Sequence, residues 1–231
     1  MRRAERLLGL RISVDASSRS ALLPAPAIVV WRHVSLFDAS LPSALYLDRG
    51  VEVRGVIMAE LLADPGIDQL YGRLGSVFIP RDNGPDARAQ VAHLGRGIHG
   101  SSVAVIFPEG RQFRSEVAQR SLVSIAKTDA ARAMRLQSLR HVLPPRPGGF
   151  TALLDASPGV DVVLVSHTGL ESYGALRDLA CDVPLASSIN VEARRYPREE
   201  IPADPADAAG WLDDRWLEMD QWIHARLAPA T

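Results

Sequence analysis

The feature that most constrains this chain is a short apolar run that ends in charged chemistry: Ala27-Ile28-Val29-Val30-Trp31, then Arg32-His33-Val34-Ser35-Leu36-Phe37-Asp38. Five apolar residues in a row read as a buried strand, and Ser35 three residues before Asp38 reads as a helix start of the Ser-x-x-Asp kind. His33 then falls on the turn between them. On one continuous helix, residues i and i+5 point about 140° apart and do not meet. A strand-to-helix turn can instead fold the Asp38 carboxylate back onto the imidazole, fixing its tautomer and leaving the other nitrogen as a base. With six histidines and 17 aspartates in the chain, a His-x4-Asp pair also arises by chance, although His33 is the only histidine with Asp at +5. The plain alternative is that Asp38 only completes a capping box with Ser35.

The rest of the chain alternates strand-like and helix-like stretches. Val51–Met58, 75–80, 102–107, 160–167 and 184–195 read as strands. Helices are expected over about 36–47, 86–98, 122–139, from 150, and 207–227. Residues 15–26 and 111–124 read as irregular. This alternation predicts an α/β fold with a mixed, largely parallel sheet flanked by helices. No linker divides it, so one domain over 1–231 is expected, with 1–26 as an N-terminal segment.

Composition narrows the function classes. A net charge of −1 excludes bulk attraction to nucleic acid. The single cysteine, Cys181, excludes an intrachain disulfide and a cysteine-cluster metal site. No apolar run is long enough to span a bilayer. Residues 1–14 carry Arg2, Arg3, Arg6 and Arg11 against Glu5, among Leu7, Leu8, Leu10 and Ile12. They suit either a basic amphipathic segment on a membrane surface or a first element packed on the core.

Two further stretches place chemistry just beyond apolar strands, where open α/β sheets bind ligands. Phe107-Pro108-Glu109-Gly110-Arg111, with Arg114 close behind, offers a tight-turn glycine and guanidinium donors suited to phosphate. Gly75-Ser76-Val77-Phe78-Ile79-Pro80-Arg81 repeats the pattern. In order and spacing, HVSLFD, GSVFIPR and FPEGR resemble the first three blocks of the glycerolipid acyltransferase family, which includes the 1-acylglycerol-3-phosphate acyltransferases. LRHVLPPRPGGF (139–150), VDVVLVSHTG (160–169) and the segment 189–223 resemble later blocks of its lysocardiolipin-type subgroup. Three positions depart from the family pattern: Arg32 stands for the usual Asn, Gln112 for the usual Arg, and Met58 for a common Lys.

The resemblance implies a glycerol-phosphate acyltransferase-like fold and transfer of a fatty acyl group from acyl-CoA or acyl carrier protein to a lysophospholipid hydroxyl, without a cofactor or metal. It implies His33 as base and Asp38 as its orienter. Arg81, with Arg111 or Arg114, would hold the acceptor phosphate, and Gly75, Glu109 and Gly110 would shape the site. A lipid acceptor implies a peripheral position at the cytoplasmic face of the membrane. The alternative is a non-catalytic, lipid-binding relative. A serine hydrolase is disfavoured because no Gly-x-Ser-x-Gly follows a strand.

Overall fold

The computed structural model describes residues 9, 11–35, 37–46, 49–59, 75–80, 86–174, 178 and 188–228. Seven strands form one sheet: β1 (Arg11–Val14), β2 (Ala27–Trp31), β3 (Glu52–Met58), β4 (Val77–Ile79), β5 (Ser102–Ile106), β6 (Val162–Thr168) and β7 (Ser188–Tyr196). Their order across the sheet is β1-β7-β6-β2-β5-β3-β4. β2 pairs in parallel with both β5 and β6, β3 pairs in parallel with β5 and β4, and only the β6–β7 pair is antiparallel. The expected mixed, largely parallel sheet is the one observed.

The central strands are buried on both faces, which is why they read as unbroken apolar runs rather than alternating ones. Every residue of β2, β5 and β6 is buried. Side chains alternate across the sheet. Ile28 and Val30 join one core with Val91, Leu94, Phe150, Leu212 and Trp216. Ala27, Val29 and Trp31 join the opposite core with Leu22, Leu41, Leu45 and Tyr46. Helices α1 (Ala16–Leu22), α2 (Leu41–Tyr46), α3 (Asp86–Arg96), α4 (Ser115–Ala126), α5 (Ala130–Leu136), α6 (Pro147–Ala156) and α7 (Pro205–Leu227) cover these two faces.

Three sequence expectations are corrected. Residues 15–26 are not all loop: Asp15 caps α1 by accepting from Ser18 N at 2.7 Å. This Ser-rich helix buries only Ser18 and Leu22, so it has no apolar stripe to announce it. Residues 111–124 are not irregular throughout, because α4 begins at Ser115; it has no fully buried residue and no side-chain cap at Arg114. The helix expected over 122–139 is instead the end of α4 and then α5, divided where Asp129 caps α5 by accepting from Arg132 N at 2.9 Å. The basic stretch at the chain start resolves in part: Arg11–Val14 is β1, paired in parallel with β7, while Arg2, Arg3, Arg6, Leu7, Leu8 and Leu10 lie outside the described residues.

Helix α7 positions the loop that precedes α6. Trp216 Nε1 donates to Leu143 O at 3.0 Å, and Asp220 accepts from His141 N at 2.6 Å and from Arg140 N. Asp213 takes Arg132 through two bonds of 2.7 and 2.9 Å. Residues 140–145 are thereby held over the carboxyl edge of the sheet.

Candidate active site

The parallel strands β2, β5 and β6 all end at one edge, and the turns that follow them meet there. After β2, the chain turns through His33 into a short 3-10 segment, Phe37–Ser40, before α2. This turn brings the Asp38 carboxylate back. Oδ1 lies 2.8 Å from His33 Nδ1, while Oδ2 accepts from Val34 N at 2.6 Å and from Ser35 N at 2.8 Å. The bond to Ser35 N is the return half of a capping box, so the two alternatives of the sequence are realised together. An ionised carboxylate only accepts, so His33 Nδ1 carries the proton and Nε2 keeps its lone pair.

The electrostatics suit a base. Burial alone pushes Asp38 up, but the nearby His167 imidazole and the hydrogen bond and charge of His33 outweigh it and hold the carboxyl well below its usual range. For His33, burial lowers the pKa, while the hydrogen bond to Asp38 and the Asp38 charge raise it; the net direction is upward. The imidazole is only 18% exposed and lies against the Phe107 ring at 4.9 Å.

Glu109, after β5, is a buried pin and does not line the cavity beside His33. One oxygen accepts from His33 N and the other from Leu143 N, each at 2.7 Å. It ties the His33 turn to the 140–145 loop. Burial pushes its carboxyl up to about 8, against the two amides and the charges of Arg32 and His33. Arg146 N donates to Pro108 O at 2.8 Å, and Phe113 N to His33 O at 2.8 Å, so the three turns are stitched together through their backbones.

Arg32, which departs from the family pattern, is a buried clamp and not an acceptor contact. Its guanidinium, 1% exposed, pairs with Glu171 at 2.8 Å and donates to the carbonyls of His167 and His141.

His33 lies at a cavity of about 580 Å³ that runs between β3, β4, β5 and α3. Val56, Met58, Ile79, Val91 and Ile106 make its apolar walls; Gly110, Arg111 and Arg146 line it as well. Of the predicted site residues, His33, Asp38, Glu109, Gly110 and Arg111 come together. Gly110 adopts φ +64°, and a Cβ there would sit 3.7 Å from the Arg146 side chain. Gly75 does not join them: it precedes β4 at the opposite edge of the sheet, packed on Arg54 with φ +71°. Arg114 is exposed at the start of α4, with its guanidinium against Gly174, and does not line the cavity. Arg81 lies outside the described residues.

Arg146 was not foreseen. Its signal was a lone guanidinium in the Pro- and Gly-rich stretch Leu143–Gly149, just ahead of a helix with Pro at its first position. Burial, then the positive charge of Arg111, lowers its pKa, so two guanidinium groups repel across one rim. Neither has a carboxylate partner among the described residues.

A histidine–aspartate base lining an apolar cavity, with two guanidinium groups beside it, brings proton abstraction, apolar contact and anion binding together in one place. The sequence profile of the Acyltransferase family matches residues 14–168, and the chain belongs to that family. It is 26% identical to Lysophosphatidylinositol acyltransferase 10 of Caenorhabditis elegans, over 95% of this chain and 57% of that protein. It is 27% identical to Lysocardiolipin acyltransferase 1 of Danio rerio, over 51% of this chain and 30% of that protein. The chain thus spans little more than half the length of the nematode relative. The crystal structure of the 1-acyl-sn-glycerophosphate acyltransferase PlsC of Thermotoga maritima shares the fold, with a TM-score of 0.66 at 15% identity, covering 100% of this chain and 78% of that one.

Proposed function

We propose that this chain transfers a fatty acyl group from a thioester donor, acyl-CoA or acyl carrier protein, to the free hydroxyl of a lysophospholipid or 1-acylglycerol-3-phosphate. The observation that carries this reading is the Asp38-held His33 at the mouth of the apolar cavity. His33 Nε2 takes the hydroxyl proton as the oxygen attacks the thioester carbonyl carbon. The tetrahedral intermediate then collapses, the carbon–sulfur bond breaks, and the departing sulfur takes the proton from His33. No covalent acyl-enzyme is required. A positioned base of this kind is worth about 10²- to 10⁴-fold in rate.

The cavity falls in the size range of small-molecule sites, and its walls favour a hydrocarbon chain over a polar one. Arg111 and Arg146 suit the acceptor phosphate through charge-assisted bonds. The names of the nematode and zebrafish relatives point to phospholipid acceptors, which supports a lipid acceptor here. No helix among the described residues is long and apolar enough to cross a membrane. The basic residues Arg2, Arg3 and Arg6, with the leucines beside them in sequence, suit contact with an anionic bilayer surface.

The test is a panel of lysophospholipid acceptors incubated with radiolabelled acyl thioesters of graded chain length, read by thin-layer chromatography. The proposal expects a labelled diacyl product from at least one phosphate-bearing acceptor, and it fails if the label appears only as free fatty acid or stays on the donor.

A further inference from the structure

Asp38 has a second histidine. His167 is the sixth residue of β6 and is fully buried, with its Nε2 3.6 Å from Asp38 Oδ2. Neither ring nitrogen has a hydrogen-bond partner among the described residues. A buried, unpaired imidazole is costly, because its polar atoms have given up water for nothing. Its surroundings leave one solution. The Trp31 ring lies beside it, with centroids 6.4 Å apart, and accepts no conventional hydrogen bond. Arg32 takes the His167 carbonyl, which fixes the backbone but not the ring. The one acidic acceptor within 4 Å among the described residues is Asp38 Oδ2, already holding Val34 N and Ser35 N.

We propose that His167 is a positioning residue for the reaction: with its proton on Nε2, it directs that N–H at Asp38 Oδ2, so that Oδ1 is left to His33. The proposal rests on the reading of His33 and Asp38 as the base and its orienter. His167 touches neither the cavity nor a reacting atom. Its effect is to fix the plane of the carboxylate and to draw off part of its charge. A carboxylate that receives fewer donors binds the His33 imidazolium more tightly. His167 therefore keeps His33 from becoming too basic to be free at neutral pH. The other charged or titratable groups around the cluster are Glu109 after β5, Arg32 after β2, and Glu171 and Tyr173 after β6. Glu109 contacts the His33 backbone, while Glu171 is occupied by Arg32 and by Gly169 N at 2.7 Å. The Tyr173 carbonyl accepts from the Ser35 hydroxyl.

The experiment is a side-chain NMR titration of His33 in the full chain, with no substrate and no turnover required. His167→Phe removes the donor and keeps a ring; His167→Gln restores an N–H near the position of Nε2. The expected result is an upward shift of the His33 pKa by about one unit in His167→Phe, a ten-fold change in proton affinity, and a value close to the wild type in His167→Gln. In the wild type, the ¹⁵N shift of His167 should show Nε2 protonated where His33 is neutral. An unchanged His33 pKa in a folded His167→Phe overturns the proposal, and so does an unprotonated His167 Nε2 in the wild type, which decides the matter if the variant does not fold. In kinetics, His167→Phe should lower kcat at neutral pH with the acceptor KM unchanged. A shifted His33 in a protein that transfers no acyl group would sink the proposed function alone. Transfer with an unshifted His33 would sink this inference alone.

Discussion

Asp38 divides its two oxygens between His33 and the backbone of the turn that carries His33: Oδ1 meets Nδ1 at 2.8 Å, and Oδ2 takes Val34 N and Ser35 N. Asp38→Asn separates these tasks. The amide oxygen can keep the turn, but the amide nitrogen then faces Nδ1 as a donor and favours the tautomer with the proton on Nε2. Turnover should fall about 10²- to 10⁴-fold, with the acceptor KM nearly unchanged. Steady-state kinetics beside a circular dichroism spectrum would check it; a folded Asp38→Asn with full kcat would remove the orienting role.

Arg111 and Arg146 line one cavity and have no carboxylate partner among the described residues. Replacing either by Ala removes a charge-assisted bond worth about 1.5–3 kcal/mol, so the KM for a phosphate-bearing acceptor should rise roughly ten-fold or more. The KM for the acyl donor should move less. Arg114→Ala, away from the cavity, serves as the control. Equal effects of all three substitutions on donor and acceptor would deny the pair a specific phosphate role.

Much of this was legible in the sequence because it depends on local pattern. The run 27–31, the turn at His33 and the chemistry after 102–107 are each set by a few consecutive residues, and the sheet aligns their ends. What was not legible depends on distant packing. Arg146 reaches the rim because Glu109 and Pro108 hold residues 143–146 against the turn after β5, and no local signal reports that. His167 reads as one more residue of a buried strand until β2 and β6 are paired. The family resemblance implies a site role for Gly75, and nearness to the exit of β5 suggests one for Arg114; Gly75 precedes β4, away from the strand exits, and Arg114 stands at the start of α4 with no side-chain cap bond.

Glu109 makes a prediction about stability and pH. Its folded pKa is raised from an ordinary 4.5 to about 8. A raised folded pKa means that its contribution is complete below about 4.5 and is lost as the pH rises through about 8. Thermal stability should therefore decline between about pH 4.5 and pH 8 and level off above that. Glu109→Gln places an amide donor opposite one of two backbone N–H groups, so at pH 6 it should be less stable by about 1–3 kcal/mol. It should also lose much of the decline. Differential scanning calorimetry across that range would show it, and a variant that tracks the wild-type slope would contradict the assignment.

Membrane contact through the N-terminal arginines carries an ionic-strength signature. Each Arg near an anionic surface contributes about 1 kcal/mol, and salt screens it. Deleting residues 1–8 should weaken co-sedimentation with anionic vesicles at low salt, and the intact chain should lose its advantage as salt is raised. If the shortened chain binds as well at every salt concentration, the contact lies elsewhere.

The central claim is that His33 is the base, and the most direct measurement is the pH dependence of acyl transfer in wild type and His33→Ala. Because the hydrogen bond and charge of Asp38 raise its pKa above 6.5 against the effect of burial, wild-type kcat/KM should climb with pH along a limb whose apparent pKa exceeds 6.5, as Nε2 becomes free. His33→Ala should stay folded, lose transfer by about 10²- to 10⁴-fold, and show no such limb. A folded His33→Ala that transfers the acyl group at the wild-type rate, along the same pH limb, would contradict the account.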